Sequence, residues 1–302
     1  MIPGRRCLRI LIRLAVSLVM LAMLLFGAGW WYFHPAFTLT PGLVYTTRHG
    51  HGLTLDVVRP ERPSGSAILV MVSGRWKSDP GKFRPWMAAS FLRQGHTVVA
   101  VSHLSQPEAT VQEIVEDMHR AVRFVRHHAR SHGIDPNRLG VFGGSSGGHL
   151  SLMLATRGGP GDPAAVDPVD RESSAVQAVT VFYPVTDLLN LGPSTENLGD
   201  NGPPKSFRKS FGPAAADPVE WRKIGREISP IFHVTSRLPP VSITHGGADT
   251  LVPPEQSLRF QQKASELGRE VQVTIRQGER HGWPTMLWDA HLFACWLTEK
   301  LR

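Results

Sequence analysis

The 302-residue chain reads as an α/β protein whose mostly parallel central sheet is covered by helices on both faces. Three observations carry that reading. Strand-like and helix-like segments alternate from about residue 44 to the end. AILVMVSG (67–74) and TVVAVSH (97–103) are continuous apolar runs, as strands buried on both faces are. The segments between strands repeat their apolar residues at helical spacing, most clearly over 110–131.

The N-terminus comes first. LAVSLVMLAMLLFGAGWWYF (14–33) holds no charge, and at about 1.5 Å per residue it spans the ~30 Å hydrocarbon core of a bilayer. Arg5, Arg6, Arg9 and Arg13 precede it, and no acidic residue lies in 1–34. That asymmetry predicts a single-pass transmembrane helix with a cytoplasmic N-terminus and an extracytoplasmic domain. Trp30, Trp31 and Tyr32 close the run as an interfacial belt. Gly27-Ala28-Gly29 offers a signal-peptidase alternative, giving a secreted or periplasmic domain. The apolar run is longer than an ordinary signal core of about 7–15 residues, which favours a retained anchor. HPAFTLTPG (34–42) reads as a linker, so 1–41 form the anchor and linker and 42–302 the domain.

Within the domain, 44–50 and 53–60 read as an antiparallel pair of edge strands. Residues 83–94 suit a helix. Thr110 to about Ser131 is the clearest helix, opened by a Thr110–Glu113 capping box. LGVF (139–142) is a strand and 148–157 a helix; AVTVFYP (178–184) and VSITHG (241–246) are strands. A helix over 254–267, a strand over 271–276 and an amphipathic helix over 286–300 complete the alternation, with Cys295 assigned to the buried face of the last helix. Residues 186–240, rich in Pro, Gly and Asn with apolar patches at Phe207, Phe211 and Trp221, break the rhythm and read as a small lid insertion.

Composition removes several classes. Half of the net charge of +8 lies in residues 1–34, the surplus over the rest is mild, and no Lys/Arg block follows, so a nucleic-acid partner is not expected. Two cysteines at opposite ends, Cys7 and Cys295, give neither a disulfide framework nor a thiol metal site. His119, His127 and His128 share a helix without convergent metal-ligand spacing, and no phosphate-cradling Gly-rich motif occurs, so no metal or cofactor is expected.

The chemistry gathers at three strand ends, where open α/β sheets build their sites. VFGGSSGGHLS (141–151) places G-x-S-x-G at a strand-to-helix turn. Such a turn exposes a serine, and the residues two before and two after it are crowded. The motif fits two frames: Gly143 and Gly147 bracket Ser145, while Gly144 and Gly148 bracket Ser146. THGGADTLVPPEQ (244–256) puts Asp249 after another strand, either to orient an imidazolium or as a turn or capping residue. GERHGWP (278–284) puts His281 after the next. His149, on the helix after the elbow, reads as a structural hydrogen-bonding residue. Serine, acid and histidine in that order suit nucleophilic acyl transfer.

GGSSGGHL (143–150), HGGADTLVP (245–253), ERHGWP (279–284) and SGRWKSD (73–79) together resemble the α/β-hydrolase superfamily, in its hormone-sensitive-lipase-like and feruloyl-esterase-like carboxylesterase branch. The resemblance covers roughly 42–302 and implies an α/β-hydrolase fold. It aligns Ser145 with the family nucleophile and gives Asp249 and His281 the other catalytic roles. It assigns the backbone N–H of Ser146 to an oxyanion hole, with a second donor at Gly74 or Arg75. There the chain departs from the family's His-Gly-Gly, reading Ser73-Gly74-Arg75. Arg75, Trp76 and Lys77 either shape the acyl pocket or bind an anionic substrate group, or else form an exposed basic loop. The implied function is a membrane-anchored serine hydrolase of small carboxylic esters. The rivals are a prolyl-oligopeptidase-like peptidase, for whose propeller the stretch before the first strands leaves no room, and a catalytically silent fold serving as a tethered binding protein.

Overall fold

The computed structural model describes residues 4–302, with side chains from Leu8 onward. The Cys7 side chain, expected to be unpaired, therefore lies outside the described residues.

Helix α1 (Gly4–Phe33) contains an apolar stretch, Leu8–Phe33, in which an 18-residue window has a mean hydropathy of 2.5 and no residue buried by the rest of the chain. Strands β1 (Phe37–Arg48) and β2 (His51–Pro60) form the antiparallel pair read from the sequence. β1 begins inside the segment read as a linker. Thr38, Leu39 and Thr40 pair with β2, and Pro41-Gly42 fall at a register shift, where a missing N–H and a positive φ are tolerated. β3 (Ala67–Met71) follows. The expected helix over 83–94 is a 3₁₀ turn, Pro85–Ala88, followed by the short α2 (Ala89–Arg93), because Pro85 leaves Arg84 extended.

β4 (Thr97–Val101) leads to α3 (Val111–His127), whose start was legible in the sequence. Thr110 Oγ1 accepts from the Glu113 N–H at 3.3 Å, and Glu113 Oε2 accepts from the Thr110 N–H at 2.8 Å. Such a cap contributes about 1 kcal/mol. β5 (Leu139–Gly144) and α4 (Ser146–Arg157) meet at Ser145. β6 (Ala178–Phe182) is followed by the 186–240 insertion, built of short 3₁₀ turns and α5 (Pro218–Glu227). β7 (Val241–Gly246), α6 (Glu255–Ser265), β8 (Val271–Arg276) and α7 (Met286–Lys300) close the chain.

The eight strands form one sheet in the order β1-β2-β4-β3-β5-β6-β7-β8. β2 is antiparallel to β1 and β4, and every pair from β4 to β8 is parallel. Successive strand side chains point to opposite faces. Leu69, Val99, Val179 and Ile243 accordingly pack under α3, α4 and α6, while Ile68, Val98, Ala178 and Phe182 pack under α2 and α7. The sheet is thus covered on both faces, as expected.

Cys295 is a correction. It is exposed on α7, within 3.4 Å of Gln94 Nε2, and the buried face of that helix is carried instead by Ala290, Phe293, Ala294 and Leu297.

The insertion is fastened at its root. Gln256, buried on α6, accepts from the N–H groups of Thr186 and Asp187 and donates to the carbonyls of Asp187 and Asn190. Its middle is tied to the loop after β7 by Thr195 N–H to the Thr250 carbonyl and Ser194 Oγ to the Leu251 carbonyl. Its own Phe207, Phe211 and Trp221 are buried against the core.

Candidate active site

Ser145 stands between β5 and α4 with φ 54° and ψ −120°. A positive φ on a residue other than glycine costs on the order of 1–3 kcal/mol and persists only where its surroundings enforce it. Here Ser145 N–H donates to the Phe182 carbonyl at 3.0 Å, and its carbonyl accepts from His149 N–H at 2.9 Å. The glycines separate the two frames. A Cβ on Gly143 would lie 2.3 Å from the Gly147 carbonyl oxygen, and one on Gly147 would lie 2.8 Å from the Met71 carbonyl oxygen. A Cβ on Gly144 would meet nothing nearer than 3.6 Å. The obligatory pair brackets Ser145.

Asp249 and His281 come to this serine from the loops after β7 and β8. His281 Nε2 lies 2.9 Å from Ser145 Oγ, and His281 Nδ1 lies 2.7 Å from Asp249 Oδ2. Nδ1 therefore carries the proton and donates to the carboxylate, which leaves Nε2 to accept from the hydroxyl. Asp249 is buried and does not cap α6. Its Oδ1 accepts from the N–H groups of Leu251 and Val252, so it is at once a turn residue and the partner of His281. Burial opposes its charge, but hydrogen bonds from His245, His281 and the Val252 N–H outweigh burial and hold its carboxyl well below the usual range. Of the two imidazoles His281 is the closer partner: His245 Nε2 stands 3.5 Å away and 2.7 Å from the Val252 carbonyl. Tyr183, just after β6, packs against His281 with ring centroids 4.3 Å apart and the rings tilted by 48°.

Ser146 is the first residue of α4, so its N–H has no acceptor within the helix and faces the same turn as Ser145. Its hydroxyl is otherwise engaged, 3.1 Å from Ser73 Oγ, which in turn lies 2.9 Å from His103 Nε2. His103 Nδ1 donates to the Leu104 carbonyl at 2.8 Å. This part-buried chain ties the loop after β3 to the elbow. In that loop Gly74 N–H donates to the Lys77 carbonyl at 2.9 Å, and Lys77 N–H returns to the Gly74 carbonyl at 3.0 Å. Arg75 (φ 58°) and Trp76 (φ 52°) occupy the centre, as a type I′ turn requires. Of the two expected second donors, Gly74 drops out because its N–H is taken. The Arg75 N–H has no hydrogen-bond partner among the described residues.

The exposed-loop reading fits Arg75 and Lys77 but not Trp76. Trp76 is buried, edge-on to Phe207 and Phe211, and donates from Nε1 to His149 Nδ1 at 3.1 Å. His149 then donates from Nε2 to the Ile228 carbonyl at 2.7 Å, and burial holds its pKa down to about 4. It is the structural histidine expected.

Two cavities meet at Ser145. A small one, about 50 Å³, lies under the insertion between Trp76, Leu188, Phe207 and Val252, with Glu196 and Gln256 on its wall. A larger one, about 560 Å³, is bordered by His281, Tyr183, Phe83, Trp86 and Met286. Among the described residues no cluster of His, Cys, Asp and Glu could hold a metal ion. His103 and Tyr183 escaped the sequence reading, and Ser73 entered it only as the residue standing where the family's loop has histidine. The signal they gave was position alone, as polar residues closing otherwise apolar strands.

A family model described as BD-FAE matches residues 55–264. This chain belongs to the BD-FAE family. The esterase LipQ of Mycobacterium tuberculosis is 29% identical over 215 residues, covering 70% of this chain and 49% of LipQ. A truncated carbohydrate esterase from gut microbiota superimposes with a TM-score of 0.71 at 26% identity, covering 88% of this chain and 99% of its own. Esterase 2 of Thermogutta terrifontis, phosphoramylated by tabun, does so with a TM-score of 0.66 at 26% identity, covering 88% and 95%. The chain spans about half the length of the curated relatives it matches first. The BD-FAE match and these structures establish the α/β-hydrolase fold and the esterase family that the sequence motifs resembled.

Proposed function

We propose that this BD-FAE member is a serine carboxylesterase held at a membrane by α1. The observation that carries the reading is the hydrogen-bonded chain Ser145–His281–Asp249, at 2.9 and 2.7 Å, on a serine with positive φ. Relatives named as esterases and a neighbour that reacted with tabun support it. In this reading Ser145 Oγ attacks the ester carbonyl carbon and its proton passes to His281 Nε2. Asp249 holds the imidazolium. The N–H groups of Ser146 and Arg75 take the negative charge that gathers on the carbonyl oxygen. The C–O bond breaks, His281 protonates the departing alcohol, and a Ser145 acyl-enzyme remains. Water then gives a proton to His281 and attacks the acyl carbon, the bond to Ser145 Oγ breaks, His281 returns the proton to Ser145, and the acid leaves.

The alcohol must leave past His281, so it occupies the larger cavity, and the acyl group enters the small one. A space of about 50 Å³ suits a short acyl chain. The apolar stretch of α1, with basic residues before it and aromatic residues at its end, supports a retained span with the domain outside the cytoplasm.

Labelling of membranes by a fluorophosphonate probe tests the chemistry. Wild type is expected to label, Ser145→Ala to lose the label and Ser146→Ala to keep it. Labelling that survives Ser145→Ala refutes the assignment. Alkaline extraction tests the anchor, and release of the protein into the supernatant refutes it.

A further inference from the structure

The outer wall of the larger cavity is built from Phe83, Trp86, Met87, Met286 and Leu287. Three of these, Trp86, Met87 and Leu287, are also exposed on the outside, and Trp288 and Leu292 extend the same apolar surface along α7. Trp288 is 64% exposed. Single exposed apolar residues need no explanation, but a contiguous patch around a cavity mouth does.

The patch is fastened to the end of α1. Phe33 meets Trp86 edge-on at 6.3 Å. Tyr32 Oη lies 3.0 Å from Ser90 Oγ on α2 and 2.9 Å from His291 Nδ1 on α7. Arg93 reaches the carbonyls of Trp31 and Tyr32 and stacks 3.8 Å over the Trp31 ring. Both α2 and α7, which wall the cavity, are thus clamped to the last turn of the apolar helix. In a spanning helix that turn, with its Trp-Trp-Tyr belt, sits at headgroup depth.

We propose that the Trp86–Met87–Leu287–Trp288–Leu292 rim rests in the interface of the bilayer that α1 crosses, and that esters whose alcohol portion is apolar and membrane-dissolved reach Ser145 from the lipid side. The inference rests on the anchored-esterase reading above and adds to it the surface that touches lipid and the class of substrate admitted.

The full chain, with Cys7→Ser and Cys295→Ser, is reconstituted into phosphatidylcholine vesicles carrying a single environment-sensitive NBD label. The label sits at Trp288→Cys, at Leu292→Cys, or at Val166→Cys, which is 94% exposed in the loop between α4 and β6. Lipids brominated on their acyl chains are expected to quench labels at 288 and 292 by about twofold or more and to leave 166 unchanged. Equal quenching at all three sites overturns the proposal. So does a blue-shifted label at 288 that ignores bromine, the sign of a second protein copy on the face. In a second measurement, Trp288→Lys/Leu292→Lys keeps wild-type hydrolysis of water-soluble p-nitrophenyl acetate and loses about fivefold or more on vesicle-dissolved hexadecyl acetate. An equal rate on both substrates overturns entry from the lipid. Failure of wild type on both esters would refute the esterase reading, while the label positions would still report where the rim lies.

Discussion

The imidazole of His281 bridges Ser145 Oγ and Asp249 Oδ2, with 2.9 Å on one side and 2.7 Å on the other. Asp249 gives up one carboxylate oxygen to two backbone N–H groups and keeps the other for His281. Replacing Asp249 with Asn would retain the turn and remove the charge that fixes the Nδ1 proton. The expected outcome is a loss of kcat of about 10³–10⁴-fold in a protein that still folds but melts lower, because the ionised carboxylate also stabilises the native state. Ester hydrolysis and thermal melting on the same preparation check it, and a loss under tenfold would contradict the role.

The elbow glycines predict unequal tolerance. Gly143→Ala pushes a methyl to 2.3 Å from a backbone oxygen, whereas Gly144→Ala has 3.6 Å of room. Gly143→Ala is expected to lose several kcal/mol of stability or fail to fold, and Gly144→Ala to stay within about 1 kcal/mol. Urea midpoints decide. Equal sensitivity would mean that the elbow does not centre on Ser145.

Arg75 is proposed to act through its N–H, so its side chain is dispensable for rate. Arg75→Gly keeps the N–H and relieves a positive φ of 58°. It is expected to retain kcat within about threefold and to gain up to ~1 kcal/mol of stability. A collapse of kcat would move the role to the guanidinium.

Acid should weaken the fold before it protonates Asp249. Burial lowers His96, His103 and His149 to about 4 and His119 to about 3. Each is neutral when folded and titrates near 6.5 when unfolded, so the unfolded chain binds more protons between these values. The stabilisation is complete above about pH 6.5 and is lost as pH falls toward 4, by up to ~1.4 kcal/mol per pH unit for each group. Asp249, whose folded carboxyl titrates below its usual range, adds a loss in the same direction only under about pH 4. Urea midpoints measured from pH 7.5 to 4.5 should fall steadily, and a flat profile down to pH 5 would contradict this.

Much of the architecture was legible because its causes are local. Helical periodicity and the Thr110 capping box placed α3, and continuous apolar runs placed β3 and β4. Arg84-Pro85 carried its own warning against a helix at 83–94, but periodicity alone could not weigh it. Cys295 went wrong because the apolar pattern of α7 does not reveal that only the face of Ala290, Phe293, Ala294 and Leu297 meets the sheet, with Cys295 off that face. At the site, motif order brought Ser145, Asp249 and His281 forward. The choice between Ser145 and Ser146 from packing needed the Gly143–Gly147 approach. Ser73, His103 and Tyr183 act through contacts 30 to 136 residues apart along the chain, or through ring packing, and no local pattern marks them.

The two-residue turn at Arg75-Trp76 joins tasks that usually sit apart. One residue presents the N–H proposed to steady the oxyanion, and the next is a wall of the pocket proposed for the acyl group. Trp76 has φ 52° and is wedged against His149, so reshaping that wall also moves the neighbouring amide. Attempts to widen acyl tolerance at position 76 should therefore slow turnover even for substrates that already fit. Altered selectivity without such a penalty is better sought across the pocket, at Phe207 or Leu188.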